Sequence, residues 1–372
     1  MAELVALALR PGPNYVDAIK RVWADGNAIA PLDDRLPPAQ LDATMAALAP
    51  TAVIEDDGEQ RSLDGGSPVE TGDAVVIATS GTTGQPKAVI HTHHAILASA
   101  TATSAALDVQ PDQDKWLACL PVAHIGGLAV VTRSLVTGTR VELHHGFDPD
   151  AATDAARRGA TLVSLVTRAL NQIDHQLFRT VLIGGAAPPV DRPANVIATY
   201  GMTETGSGVV YDRRPLDGLE IDVTEEGEIR LRGPMLFRGY RHDPDPFDPG
   251  GWFPTGDLGE IDQDGVLSVF GRAGDVIVTG GEKVWPAPIE AHLNRRPDIE
   301  EAVLIGRPHP DWGHEVVAVV VPAEAATPPS LDVLRADIRA SFGPWCAPKR
   351  MELVAALPKT ALGKVRRDQL HT

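Results

Sequence analysis

Nine consecutive residues, Thr79-Ser80-Gly81-Thr82-Thr83-Gly84-Gln85-Pro86-Lys87, hold two glycines, four hydroxyls and a terminal lysine. That composition suits an anion better than it suits packing. Glycines let backbone N–H groups curl around phosphate oxygens, hydroxyls add donors and the lysine adds charge. The spacing Gly81-x-x-Gly84-x-x-Lys87 is not a Walker A loop, which requires G-x-x-x-x-G-K-[ST]. A plain Ser/Thr/Gly turn between two strands is the alternative. Four further stretches carry usable groups. His124 stands beside Gly126 and Gly127 at a strand end, as a pocket-wall group would. Gly184, Gly185 and Ala186 are small enough for a flat ring to approach the backbone. Tyr200-Gly201-Met202-Thr203-Glu204-Thr205-Gly206 offers a stacking face, two hydroxyls and a carboxylate able to hold Mg²⁺ through oxygen. Asp257, in Thr255-Gly256-Asp257, has two acceptor oxygens, enough for both hydroxyls of a ribose, or is a turn aspartate.

The elements around these residues read as α/β. Apolar runs predict strands at Ala74–Ala78, Ala88–Ile90, Trp116–Leu120, Thr139–Leu143, Thr161–Val166, Thr180–Ile183 and Asn195–Thr199. Helices are predicted around Val16–Trp23 and over Pro38–Leu48, His93–Leu107, Asp150–Arg158 and Arg168–Leu177, with a surface loop over Glu55–Ser67. The alternation implies helix-covered, mainly parallel sheets, with the Tyr200 segment exposed past the carboxyl end of its strand, where open α/β sheets bind ligands. From Gly218 the chain turns to short β segments. Flexible residues gather at Gly271–Asp275, predicting a large domain over 1–271 and a smaller α+β domain over 272–372. His91, His93 and His94 match no standard metal spacing and fit a strand-to-helix junction.

The formal charge is −17, from 33 lysines and arginines against 50 aspartates and glutamates. That balance disfavours nucleic acid and anionic membrane as partners. Two unpaired cysteines, Cys119 and Cys346, give neither a disulfide framework nor a zinc cluster. Neither a signal-like start nor an unbroken apolar run of 18 residues is present, so stable membrane insertion is not expected and a cytoplasmic location is. The oligomeric state, a homodimer included, is left open.

Taken in order, these stretches closely resemble the motifs of the AMP-forming adenylating enzymes, the superfamily of acyl-CoA synthetases, over residues 70–372. The resemblance implies ATP, Mg²⁺ and coenzyme A as cofactors and co-substrates. It implies that Thr79, Ser80, Gly81, Thr82, Thr83, Gly84 and Lys87 hold the phosphates, that Gly184, Gly185, Ala186, Tyr200 and Gly201 receive adenine, and that Asp257 binds ribose. Thr203 and Glu204 belong to the catalytic set, Glu204 as the metal ligand, and His124 borders the acyl pocket. Further on, Arg272 matches the arginine that reaches the nucleotide at the hinge of a mobile C-terminal domain. Gly274 stands where that family often has a charged pivot residue, and a glycine there is compatible with hinging. Gly280 and Gly281, in Thr279–Pro286, match the loop lining the pantetheine channel, and Lys364, in Pro358–Arg367, matches the catalytic lysine.

The phosphate loop comes early, implying a shortened front end. With Ser164–Val166 and Ile183–Pro189, this is similar to the compact o-succinylbenzoate–CoA ligases of menaquinone biosynthesis, whose substrate keeps a second carboxylate charged in its pocket. His124, Arg168 and Ser207 are the candidate donors to it, although Arg168 also fits an exposed helix position. Other acyl- or aryl-CoA synthetases, a stand-alone enzyme loading a carrier protein, and a nucleotide-binding regulator are the competing readings.

Overall fold

The computed structural model describes residues 1–79, 86–186, 188–189, 191–359 and 365–370, the side chain of Asp368 aside. The phosphate-loop residues Ser80, Gly81, Thr82, Thr83 and Gly84 and the lysine Lys364 lie outside them. The chain forms two compact units. The first is Met1–Asp222, Arg230–Pro254 and Gln263–Leu267; the second is Val223–Ile229, Thr255–Asp262 and Ser268–Thr372. Four strands, Glu220–Val223, Glu228–Arg232, Phe253–Ile261 and Leu267–Arg272, each pass from one unit into the other. The division therefore runs through β structure and not at a single linker near residue 271.

The first unit contains two seven-stranded sheets. One has the order Gly239–Tyr240, Lys87–Thr92, Asp73–Thr79, Ala28–Pro31, Leu4–Ala8, Ala52–Glu55, Gln60–Ser62. Its middle is parallel and its two sides antiparallel. The other runs Arg214–Pro215, Ser207–Tyr211, Val196–Met202, Thr180–Gly184, Leu162–Val166, Lys115–Ala118, Arg140–Leu143 and is parallel except at the Ser207–Pro215 edge. The near-continuous apolar strands are buried as expected of sheets covered on both faces: Leu4, Ile29, Val76, Leu117, Val163 and Val181 are all at most 1% exposed. Helix His93–Ala106 begins where Thr92 accepts from the Ala95 N–H at 3.1 Å, an N-cap, and continues through good helix formers. The second unit packs helices Pro286–Leu293 and Leu331–Phe342 on the antiparallel pair Ile299–His309 and Gly313–Pro322 through Ile289, Leu304, Ala318 and Ile338.

Local reading of the sequence fails in a few instructive places. A helix over Ile125–Thr137 goes unpredicted because Gly126 and Gly127 look like a loop. Instead they form its first turn, where a Cβ on Gly127 would lie 2.4 Å from the carbonyl oxygens of Leu120 and Pro121. The predicted helix Arg168–Leu177 is one turn, Thr167–Leu170, and a separate 3₁₀ turn, His175–Leu177. The Asp174 carboxylate accepts from the Gln176 N–H at 3.0 Å and restarts the chain there. The loop Glu55–Ser67 contains the short strand Gln60–Ser62, paired with Ala52–Ile54.

Gly127→Ala is expected to destabilise the protein by about 1–3 kcal/mol, because the backbone carbonyls cannot yield cheaply. Gly126→Ala, which meets only the Leu120 side chain at 3.5 Å, is expected to be near neutral. Urea titration of both variants checks the contrast; equal stabilities would remove the close-approach argument.

Candidate active site

Strand Lys87–Thr92 is the spine of the site. Thr79 and Lys87 face one another at the loop end of the Asp73–Thr79/Lys87–Thr92 hairpin, so the nine-residue stretch joins antiparallel strands. The Lys87 ammonium lies 4.6 Å from the centre of the Tyr240 ring and 3.8 Å from the Asp243 carboxylate. The Tyr240 hydroxyl donates to Glu204 Oε1 at 2.8 Å. Among the described residues no lysine or arginine pairs with Glu204, so none of them competes with a cation for its second oxygen.

Tyr200 and Gly201 are not beyond their strand but inside it, at a bulge against Ser207–Tyr211, and Tyr200 is half-buried. A Cβ on Gly201 would lie 2.1 Å from the Ser207 carbonyl oxygen, so this glycine answers a packing demand. Thr203, Glu204 and Thr205 follow as a 3₁₀ turn between two antiparallel strands. Gly184 packs on Thr199, its Cβ position 2.7 Å from Thr199 Oγ1; Gly185 adopts φ +81° and is exposed with Ala186.

His91, grouped by sequence with His93 and His94, is buried. Its Nε2 donates to the Thr203 carbonyl at 2.7 Å, which ties the two sheets together at the Glu204 turn. Burial pushes the imidazole down to about 4 despite that bond, so it is neutral at neutral pH. His93 packs edge-on against Trp23 at 5.1 Å. Among the described residues no cluster of three His, Cys, Asp or Glu side chains is arranged to hold a metal. A Mg²⁺ that arrives with nucleotide phosphates needs only one or two protein carboxylates, and Glu204 fits that demand.

A cavity opens between helices His93–Ala106 and Ile125–Thr137, lined by His91, Ser99, Ile125, Thr132 and Arg133. Arg133 is 3% exposed, and burial pulls its guanidinium down from the ordinary arginine range. It stacks on Trp116 at 4.9 Å, and Nη2 reaches Ser207 Oγ at 3.5 Å. Its Nε and Nη1 have no partner among the described residues. A buried guanidinium with two idle donors is a costly group and a ready receptor for a carboxylate. The free volume is about 20 Å³, room for one water, so a larger guest must displace surrounding side chains. Ser207, named from sequence, lies here; Arg168 does not. It is exposed on the Thr167–Leu170 turn, and the buried cation is Arg133. The signal for it was an arginine between the apolar runs Leu128–Val131 and Leu135–Val136, flanked by Thr132 and Ser134.

His124 occupies the N-cap position of the Ile125–Thr137 helix without a side-chain capping bond, and its Nε2 stands 3.9 Å from Asp33. Asp33 is buried and held below the usual carboxylate range by hydrogen bonds from Arg35 at 2.7 and 2.8 Å. Burial lowers His124, so it too is neutral. Nothing in the sequence had marked Asp33 or Arg35.

In the second unit, Asp257 lies inside strand Phe253–Ile261 and not in a turn. It is 6% exposed and pairs with Arg272 Nε at 3.0 Å, while Arg272 Nη1 donates to the Thr255 carbonyl at 2.8 Å. The two nucleotide residues inferred from sequence thus meet. Gly271, not Gly274, takes the left-handed region here, at φ +130°. Gly280 and Gly281 form a two-residue hairpin turn with φ +59° and +88°, the requirement of a type I′ turn.

Two family models match the chain, AMP-binding enzyme over residues 66–241 and AMP-binding enzyme C-terminal domain over 288–364. It is 39% identical over 335 residues to a probable 2-succinylbenzoate–CoA ligase of Mycobacterium tuberculosis, covering 82% of this chain and 85% of that one. Identity is 35% over 337 residues to the 2-succinylbenzoate–CoA ligase of Geobacillus kaustophilus, covering 80% and 68%. The fold matches o-succinylbenzoate CoA synthetase from Bacillus subtilis in complex with the acyl-adenylate intermediate OSB-AMP, with TM-score 0.87 and 26% identity over 100% of this chain and 88% of that one. The chain belongs to the AMP-binding enzyme family. Among the described residues no helix is long and apolar enough to cross a membrane.

The neutral His91 sets a pH dependence. Unfolded, it protonates near its ordinary 6.5; folded, near 4. Below 6.5 the unfolded chain takes the extra proton, so the stability from neutral His91 is full above about pH 6.5 and falls by about 3 kcal/mol on the way to pH 4. His91→Gln is expected to flatten that part of the profile, measured by urea midpoints between pH 4 and 7. An unchanged slope would refute the assignment.

Proposed function

We propose that the protein is an ATP-dependent acid–CoA ligase that converts 2-succinylbenzoate to its CoA thioester, releasing AMP and pyrophosphate. The observation that carries the substrate assignment is Arg133. A buried cation with idle donors matches an acid that keeps one carboxylate charged while the other reacts. The names of the relatives support the same reading.

In the first half-reaction an oxygen of the succinyl carboxylate attacks the α-phosphorus of ATP. A phosphorus–oxygen bond to the acid forms as the one to pyrophosphate breaks. In the second, the thiol of coenzyme A attacks the acyl carbon, AMP leaves, and the thiol proton is lost. Two anions must meet in the first step, so cations set its rate. Lys87, Thr79, Ser80, Gly81, Thr82, Thr83 and Gly84 hold the phosphates. Gly184, Gly185, Ala186, Tyr200 and Gly201 receive the adenine, and Asp257 with Arg272 takes the ribose. Thr203 and Glu204 are the turn at the phosphates; Mg²⁺ bound there with ATP supplies charge neutralisation. Neutral His124 borders the acyl group, and Arg133 with Ser207 receives the spectator carboxylate. Residues 272–372 act as a lid that brings Lys364 to the α-phosphate for adenylation, then Gly280 and Gly281 to the pantetheine arm. The use of ATP and coenzyme A supports a cytoplasmic site of action.

With 2-succinylbenzoate, benzoate and a medium-chain fatty acid compared, the diacid is expected to lead in kcat/KM by about 10²-fold or more. Arg133→Met is expected to shrink that preference by about 10- to 100-fold, the worth of a charged hydrogen bond; an intact preference sinks the counter-charge role. Lys364→Ala is expected to slow acyl-adenylate formation by about 10²–10³. An undiminished rate, or ADP as the nucleotide product, would overturn the adenylation chemistry itself.

A further inference from the structure

We infer that Tyr240 is a positioning residue that keeps the phosphate-binding cation Lys87 and the metal-binding carboxylate Glu204 apart and aimed, an inference that rests on the proposed roles of those two residues. The sequence offered no hint of it, since Tyr240 follows the last recognised motif of the first unit's ligand-binding set by more than thirty positions.

Backbone pairing fixes where the ring goes. Gly239–Tyr240 is a two-residue strand paired antiparallel with Ile90 and Val89. On either side, the Arg238 N–H donates to the Ile90 carbonyl and the Arg241 N–H to the Ala88 carbonyl, both at 2.8 Å. The Arg238 guanidinium then grips the buried Asp73 carboxylate through two 2.9 Å bonds. Phe237 packs edge-on to the tyrosine at 4.9 Å, and its N–H donates to the Glu204 carbonyl at 2.8 Å. Ring and carboxylate are therefore held on one short, well-tied segment.

What the ring does follows from its chemistry. A phenol accepts a cation over its electron-rich face and donates from its hydroxyl. Tyr240 does both, with Lys87 over the face and Glu204 at the hydroxyl. The ring stands between the ammonium and the Glu204 carboxylate, and Lys87 has its carboxylate partner elsewhere, at Asp243 3.8 Å away. Without the ring, a direct Lys87–Glu204 ion pair would compete with the phosphate and the metal for both groups. The hydroxyl also uses one lone pair of Oε1 and so orients the carboxylate.

The test compares Tyr240→Phe, Tyr240→Leu, Glu204→Gln and the Glu204→Gln/Tyr240→Phe double variant, all checked by thermal melting. Affinity for a fluorescent ATP analogue is titrated with and without Mg²⁺, and the readout is the ratio of the two dissociation constants. Tyr240→Phe keeps the ring and is expected to reduce the Mg²⁺-dependent tightening about tenfold, as loss of one hydrogen bond to a charged group does. Tyr240→Leu also removes the surface under Lys87, and is expected to weaken Mg²⁺-free nucleotide binding about threefold more than Tyr240→Phe does. The double variant should be no worse than Glu204→Gln. Full Mg²⁺ tightening in Tyr240→Phe, alongside a defect in Glu204→Gln, overturns the positioning role and leaves the metal reading intact. Normal tightening in Glu204→Gln overturns the metal reading on which it rests.

Discussion

One buried hydrogen bond, from His91 Nε2 to the Thr203 carbonyl at 2.7 Å, joins the two sheets of the first unit at the centre of the candidate site. Its donor is in the strand that begins at Lys87, and its acceptor is in the turn that presents Glu204. An unpartnered carbonyl in that dry place would be costly, so the turn is held where the imidazole reaches it. The cost of keeping the histidine neutral is the price of this tie. The Phe237 N–H on the Glu204 carbonyl adds a second attachment from the same side. Together they let a 3₁₀ turn, which has few internal bonds, carry a carboxylate at a fixed place.

Close backbone approach is the second constraint, and it changes how the motif glycines are understood. Gly201 and Gly127 are needed because another carbonyl oxygen lies where a side chain would be. Gly280 is needed twice over: its φ is +59°, and the Trp312 indole stands 2.7 Å from its Cβ position. A ligand-binding loop and the scaffold beneath it thus ask for the same residue type. A glycine-rich motif therefore does not by itself say what each glycine does. Gly185, exposed at φ +81° with nothing near its Cβ position, is the kind of glycine that remains for close approach of a ligand.

Much of the sheet scaffold was legible because its strands are apolar almost residue by residue, as Asp73–Thr79 and Thr180–Gly184 are. Chain order sufficed there. Legibility ended where meaning came from distant pairings. Glu204 and Asp257 announce themselves through local strings, whereas Arg133, flanked by Thr132 and Ser134, is passed over for Arg168. Asp33 becomes a neighbour of His124 only through a fold that brings positions 33 and 124 within 3.9 Å, and Tyr240 meets Lys87 only through strand pairing. Tyr200 misled for a related reason. Its strand extends past the apolar run to Met202 because Ser207–Tyr211 returns beside it, and no local signal encodes that partner.

The balance of charge in the cavity ties these threads to the proposed substrate. The chain as a whole is strongly acidic, so attraction for an anion has to be made locally. Of the groups that border the cavity and its helix, His91 and His124 are both driven to the neutral form by burial, and Asp33 is already matched by Arg35. Among the described residues, Arg133 is left there as an uncompensated positive charge. One guanidinium neutralises one carboxylate, and a second cation there would add a desolvation cost that a single carboxylate could not offset. A monoacid whose only carboxylate is consumed in the reaction would leave Arg133 buried and unpaired. A diacid would not, and buried His91, lowered to about 4, keeps that one-to-one match down into mildly acidic pH.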